Sequence, residues 1–315
     1  MTPVAESSSS LANSSLRTNV ANQRSRVLQG TLFVLFAAAS FGFMPLFNSW
    51  SSSVGVKTEM IQFLRFGIAG IVLTCVMLVQ RRRWPVGPLL PVLIFMGAGL
   101  YVLESLAYFH GLRFAASGLI VLLLYTCPAM VAVMARVLFG THLRPAKLAA
   151  VITAVIGVGL SAGPLGLENW RGLALGLGCA CSYASYIIIS SRVIPRVGAI
   201  EAATVVVLSA ATVYGLLAWR LHEHLPETVM GWTGASCLAL LSTILAITAF
   251  LAGVQRIGPV SAATLSTIEP LVAVIVSQWV LKESPMSVLQ YLGGSLIIIA
   301  AVACAHLDRT RKSAS

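Results

Sequence analysis

Apolar positions in this chain run in long unbroken stretches, not in the one-sided stripe of a soluble helix or the alternation of a strand. Ten stretches stand out, at about residues 28–48, 60–80, 88–109, 116–139, 146–163, 171–191, 202–221, 231–252, 260–281 and 288–306. A helix needs roughly 20 apolar residues to cross the hydrocarbon core of a bilayer. Strands of a membrane barrel would instead alternate in polarity over about 10 residues. The pattern therefore predicts ten transmembrane helices joined by short connections carrying Gly, Pro and charge. Residues 1–27 are rich in Ser and Asn, cannot bury enough apolar surface to fold, and read as a disordered tail. Residues 308–315 read as a second, shorter tail. No apolar core with a small-residue cleavage site follows the first tail directly, so the first stretch reads as an uncleaved anchor rather than a signal peptide.

Composition sharpens this picture. The chain is 57% hydrophobic and 10% charged, with mean hydropathy +0.89, whereas soluble domains carry about 25% charged residues. The net charge of +11 does not imply nucleic acid, because the basic residues sit in short runs between apolar stretches and form no nucleic-acid module. Their distribution sets orientation. One side holds Arg17, Arg24, Arg26, Arg81, Arg82, Arg83, Arg144, Lys147, Arg192, Arg196, Arg256, Arg309, Arg311 and Lys312; the other holds Lys57, Arg113, Arg171, Arg220 and Lys282. The positive-inside rule places the first set, and both termini, in the cytoplasm. The six cysteines fall in apolar segments with no metal-type spacing and read as small buried hydrophobes. No cofactor is expected.

The sequence also carries an internal echo. At an offset of 142 residues, Gly30 falls on Gly172, Leu35 on Leu177, Ala38 on Ala180, Ser40 on Ser182, Glu59 on Glu201, Gly111 on Gly253, Leu123 on Leu265 and Pro128 on Pro270. This predicts a duplication into residues 28–166 and 167–307, each of five helices. An odd number makes the second copy enter the membrane from the opposite side. Inverted repeats are a recurring plan of secondary transporters, with the substrate near the midplane between them. The fold class expected is an all-α membrane protein of two inverted five-helix repeats.

Residues 253–302 carry Gly253, Gly258-Pro259, Thr267-Ile268-Glu269-Pro270-Leu271-Val272-Ala273, Leu281-Lys282-Glu283 and Gly293-Gly294-Ser295-Leu296-Ile297-Ile298. That order resembles the ninth and tenth helices of EamA-type members of the drug/metabolite transporter superfamily. Residues 111–160 are similar to a first copy, and Phe63-Leu64-Arg65-Phe66 with Ala69 is similar to the family's second helix. The resemblance covers nearly the whole chain from about residue 30. It implies a ten-helix transporter of the cell inner membrane, and says little of the substrate. Two departures stand out: Thr141 where the family often has Glu, and Cys127 where the second copy has Glu269.

Candidate transport residues follow from polarity inside apolar stretches. Pro128 and Pro270 lie near mid-bilayer, each removes a backbone donor, and they read as paired hinges or as packing kinks. Glu269 is a carboxylate near the midplane, costing at least about 2.5 kcal/mol on insertion scales. It reads as a ligand for a substrate ammonium, a proton carrier, or a neutral acid bonded between helices. Arg65 and Glu104 lie at similar depth on adjacent antiparallel helices, so an ion pair is one reading and snorkelling of Arg65 the other. Tyr101 and Tyr108 share a face with Glu104. Tyr125 flanks the Pro128 position, and Ser182, Tyr183 and Tyr186 are the repeat counterparts of Ser40, Phe41 and Met44. Aromatic walls around a mid-membrane pocket suit a small organic solute.

The function expected is therefore a secondary transporter, an exporter of amino acids or related metabolites working by alternating access with proton coupling. It would act as a monomer or homodimer in the lipid bilayer, with a small-molecule substrate and no nucleic acid. An integral membrane enzyme would need catalytic residues clustered in interfacial loops, and a channel would need rings of carbonyls or charges. Neither pattern is evident, and neither is a nucleotide-binding Gly-x-x-x-x-Gly-Lys-Ser/Thr loop.

Overall fold

The structure is a computed structural model and describes residues 4–111, 114, 120, 123–140, 145–161, 170–281 and 288–311. Thr141, Lys282 and Glu283 lie outside the described residues. Among the described residues the helical elements with both ends given are, in chain order, α1 Val4–Gly42, α2 Met44–Ser52, α3 Thr58–Val79, α4 Leu89–Gly111, α5 Cys127–Phe139, α6 Pro145–Ser161, α7 Trp170–Val197, α8 Ala199–Arg220, α9 Val229–Ile257, α10 Pro259–Ser266, α11 Glu269–Leu281 and α12 Val288–Arg311. Among the described residues, six helical segments have the length and apolarity to cross a membrane: Asn22–Ser52, α3, α4, α7, α8 and α9. The apolar helices Cys127–Phe139 and Pro145–Gly157 are shorter. Large side chains such as Leu32, Phe36, Ile71, Leu78, Val133, Val137 and Ile152 point outward, as a lipid-facing surface requires.

Three expectations need correction. The polar segment read as a disordered tail is helical from Val4. It continues a helix already nucleated in the first apolar stretch, and propagation adds one hydrogen bond for each residue fixed. The stretches at 116–139 and 260–281, read as continuous helices with kinks, are broken within the described residues: turns at Tyr125–Thr126 and Thr267–Ile268 precede α5 and α11. Pro128 and Pro270 thereby become second residues of new helices, where a missing N–H leaves no bond unmade. Finally, Cys75 and Cys181 are exposed rather than buried, since a thiol is apolar enough to face lipid.

The breaks are stabilised locally. The Thr126 hydroxyl donates to the Leu123 carbonyl at 2.6 Å. On the other side the Thr267 hydroxyl donates to Thr264 O at 2.7 Å and the Ser266 hydroxyl to Ala263 O at 2.8 Å. Hydroxyl re-satisfaction of this kind is what makes a broken helix tolerable at membrane depth. The two breaks are 142 residues apart. So, nearly, are two π-helical turns, Phe95–Tyr101 inside α4 and Leu240–Leu245 inside α9: at that offset Tyr101 falls on Thr243.

Packing follows the same offset. α3 lies against α8 and α6 against α12, while α1 lies against the second half of α9 and against α11, and α7 lies against the second half of α4 and against α5. Exchange α1 with α7, α3 with α8, α4 with α9, α5 with α11 and α6 with α12, and the same neighbour list returns. One approach is backbone on backbone. Gly97 in the α4 π-turn sits so close to Val206 of α8 that an added Cβ would meet the Val206 carbonyl oxygen.

At one end of the bundle the 221–228 loop covers the start of α3. Burial, and then a hydrogen bond with Glu59, raise the Glu223 carboxyl from the usual 4.5 to about 7, opposed by the Met60 amide and Lys57. A folded-state acid that holds its proton longer than the unfolded chain does contributes stability below about pH 4.5 and loses it as pH rises toward 7. Thermal unfolding midpoints are therefore expected to fall across that window. Glu223→Gln should flatten the slope, and an unchanged slope in that variant would assign the effect elsewhere.

Candidate functional site

Arg65 lies in α3 facing the centre of the bundle, and with 2% of its surface exposed it does not snorkel. Its guanidinium is divided between the two π-turns. Nε donates to Thr243 Oγ1 at 2.7 Å and one terminal nitrogen to Ser242 O at 3.3 Å, both in α9. The same terminal nitrogen donates to the Tyr101 hydroxyl at 3.3 Å in α4. The other reaches Gln62 Oε1 at 3.5 Å and the Met44 sulfur at 3.4 Å, and the Phe66 ring lies 4.8 Å beneath the fork. Tyr101 and Thr243, which the offset of 142 places on each other, are thus joined through one side chain. Thr243 is free to accept because its own hydroxyl hydrogen goes to Leu238 O at 2.8 Å.

The expected Arg65–Glu104 ion pair does not form. Among the described residues one ion pair lies within 4.0 Å, Arg82 with Glu201 at 2.9 Å. Glu104 instead accepts a long bond from the Cys179 thiol at 3.7 Å. The reason is local: the π-turn ends at Tyr101 and turns that hydroxyl, not the carboxylate one turn later, toward the fork. Glu104 still acts on Arg65 at longer range, as does Glu269. Glu269 opens α11, where the positive end of the helix dipole faces its carboxylate, and its hydrogen-bond partner is the Tyr125 hydroxyl.

Most of the predicted residues are brought together. Tyr108 and Tyr183 both lie within electrostatic reach of Glu104 and Glu269. Tyr101, Glu104, Tyr108, Tyr183 and Glu269 are half-buried. Tyr183 stacks near Phe250 with centroids 6.3 Å apart. Tyr186 stands behind: it is 3% exposed, packs edge-on against Tyr101 at 5.7 Å, and its hydroxyl has no partner among the described residues. Ser182 is buried on the same helix. Pro128 and Pro270 sit next to Cys127 and Glu269, at the N-termini of α5 and α11.

Several residues were missed in the sequence. Ser242 and Thr243 hid in an apolar run, although Thr243 is the counterpart of Tyr101. Gln62, whose amide donates to Ser105 Oγ at 3.0 Å, stood beside the Phe63-Leu64-Arg65-Phe66 motif and was passed over. Among the described residues no three His, Cys, Asp or Glu side chains are grouped to hold a metal ion.

A many-helix membrane bundle with two broken helices meeting at an interior polar cluster defines the class of a solute carrier. The family model for the EamA-like transporter family matches this chain twice, over residues 28–163 and 170–304, and the chain belongs to that family; it is a membrane transporter. Among curated proteins it is similar to "Uncharacterized inner membrane transporter YedA" of Escherichia coli K12, 26% identical over 284 residues, covering 82% of this chain and 90% of that protein. The proteins of the same name from Escherichia coli O6:H1 and O157:H7 match equally. A solved structure described as "Crystal structure of protein" superposes with TM-score 0.75 at 22% identity, covering 89% of this chain and 98% of the other, a likeness of fold.

Proposed function

We propose that this chain is a secondary transporter of the inner membrane that exports amino acids or closely related zwitterions by alternating access. Its ten spans form two inverted repeats, residues 28–166 and 167–307, with both termini cytoplasmic. Two matches to one family model, helix breaks 142 residues apart and a neighbour list unchanged by exchanging the halves support that plan. The observation carrying the substrate class is the asymmetry at the two breaks. The N-terminus of α11 holds its own carboxylate, Glu269, while that of α5 holds the neutral Cys127. One end is poised to meet a substrate ammonium. The other, with the Arg65 guanidinium beyond Tyr101, favours a carboxylate. Tyr101, Tyr108, Tyr125 and Tyr183 wall the space between, and Glu269 with Glu104 provides sites for a coupled proton.

The test is counterflow of radiolabelled amino acids in liposomes containing the purified chain. Saturable exchange is expected, and a linear, unsaturable flux would favour a channel. Glu269→Gln should lower exchange of the transported amino acid by about tenfold or more, the worth of one charged hydrogen bond, and should remove its pH dependence. Unaltered rate and pH profile in this variant would end the assignment of Glu269.

A further inference from the structure

α3 and α8 pack side by side, and the chain leaves both by the same local structure. At the end of α3 the Arg81 amide donates to Leu78 O at 3.1 Å and the Arg82 amide to Met77 O at 2.9 Å. At the end of α8 the His222 amide donates to Trp219 O at 3.2 Å and the Glu223 amide to Ala218 O at 3.0 Å. Arg81 and His222 take left-handed φ values of 49° and 54°, which residues other than glycine adopt at some cost. This is the Schellman ending of a helix, and the residue that follows the left-handed one is Arg82 in the first case and Glu223 in the second. Each meets the first-turn acid of the opposite helix. Arg82 binds Glu201 at 2.9 Å, and Glu223 shares a hydrogen bond with Glu59. The two helices are thus antiparallel and joined at both ends by residues in equivalent places.

We propose that the α3–α8 seam carries a clasp at each end, one held by charge and the other by a shared proton, so that the Lys57 end loosens as pH rises toward neutrality. The chemistry of the two ends differs in one respect. A guanidinium stays charged at any accessible pH and answers the Glu201 carboxylate directly. Glu223 meets another carboxyl instead, and among the described residues no Lys, Arg or His nitrogen lies within 4.0 Å of either acid. Glu223 Oε2 is moreover buried without a hydrogen-bond partner. Two carboxylates at this range repel, so one of them must keep a proton for the bond to exist.

The other charged and titratable groups around the pair are Lys57 on α3, His110 of α4 in the cavity that Glu59 also lines, and His222, His224 and Glu227 on the 221–228 loop. Burial, and then Glu59, hold the Glu223 proton to about pH 7 against the Met60 amide and Lys57. A carboxyl freed into water keeps its proton only to about 4.5. The clasp is therefore fully held below about pH 4.5 and is lost as pH rises toward 7. Its partner at the Arg82 end needs no added proton. In alternating access the two ends of a bundle open in turn, and this asymmetry would make one opening sensitive to the pH on its own side of the membrane. That gating role rests on the transporter reading above; the clasp itself does not.

The test is amide hydrogen exchange, read by mass spectrometry, on the full chain in lipid nanodiscs without substrate. Exchange over residues 57–62 and 221–228 is divided by exchange over 80–84 and 199–203 of the same molecule, which cancels the chemical pH dependence of the amides. One linked proton gives at most about tenfold per pH unit, and for half-exposed carboxyls a rise of about fivefold or more in the ratio is expected between about pH 5 and about pH 7. Glu223→Gln keeps Lys57, Glu59 and the neighbouring histidines and removes the titrating group, so its ratio should stay flat. Glu223→Arg gives this end the residue that Arg82 supplies to the other, and should hold the ratio near the wild-type acid value even at neutral pH. A flat ratio in wild type, an undiminished rise in Glu223→Gln, or a Glu223→Arg chain looser than wild type at neutral pH would each overturn the proposal. Counterflow then tests the gating role. A pH profile altered by Glu223→Arg supports it, whereas one altered by Glu269→Gln and not by Glu223→Arg would strike the gating and leave the clasp.

Discussion

Arg65→Lys is expected to cut transport by on the order of a hundredfold, although the charge is kept. The planar fork reaches Tyr101 on α4 and both Ser242 and Thr243 on α9 at once. A lysine is a point donor on a flexible stem and cannot span two helices in one geometry. Losing two hydrogen bonds to a charged donor costs about 1.5 kcal/mol each, and about 3 kcal/mol corresponds to roughly a hundredfold in rate if the bridge matters to the moving step. The cation also sits among neutral partners, with no carboxylate within 4.0 Å among the described residues. Its position therefore depends on those neutral bonds and on the Phe66 face. Counterflow of the wild-type substrate checks the rate, and a thermal melt checks that the variant is folded. A folded variant with a rate within about twofold of wild type would show that the fork is only packing.

Gly97→Ala is expected to be strongly damaging, because the added methyl group meets backbone. The new Cβ would strike the Val206 carbonyl, and a backbone atom of a packed helix cannot rotate away as a side chain can. α4 and α8 would have to separate across a contact among fully buried residues, including Leu93, Met96 and Val206. Overpacking of a close-packed interior costs about 1–3 kcal/mol and at rigid sites more, so the yield of folded protein and its unfolding midpoint should both drop. Gly67→Ala on α3 is the control, because nothing lies within 4 Å of the added atom and alanine favours helix. Equal melting of the two variants would refute the close approach.

Much of the architecture was readable from one dimension. Apolar runs long enough to span a bilayer are a property of consecutive residues. The offset joining Pro128 to Pro270 needs no coordinates, and the breaks at Tyr125–Thr126 and Thr267–Ile268 keep it. Polar residues isolated in those runs, Arg65, Glu104 and Glu269 above all, announce themselves because lipid penalises them. The partner of each was not readable. Arg65 and Glu104 lie at similar depth, and depth alone made them a pair. The π-turn rotated the helix so that Tyr101 met the fork, and the opposing π-turn delivered Thr243 and the Ser242 carbonyl.

What the sequence by itself determined is the membrane character of the chain, its two matches to one family model and the residues whose polarity demands an explanation, because hydropathy and motif are written along the chain. What only the tertiary structure decided is how those demands are met. Proline became the opening of a new helix rather than a bend within one, since a break lets threonine and serine hydroxyls cap the freed carbonyls. A buried cation was satisfied by neutral oxygens from two helices, and Gly97 became a contact point because another backbone came to rest on it. Hydrogen-bond direction and backbone approach depend on how helices rotate and cross, and that is set by packing between segments far apart in the chain.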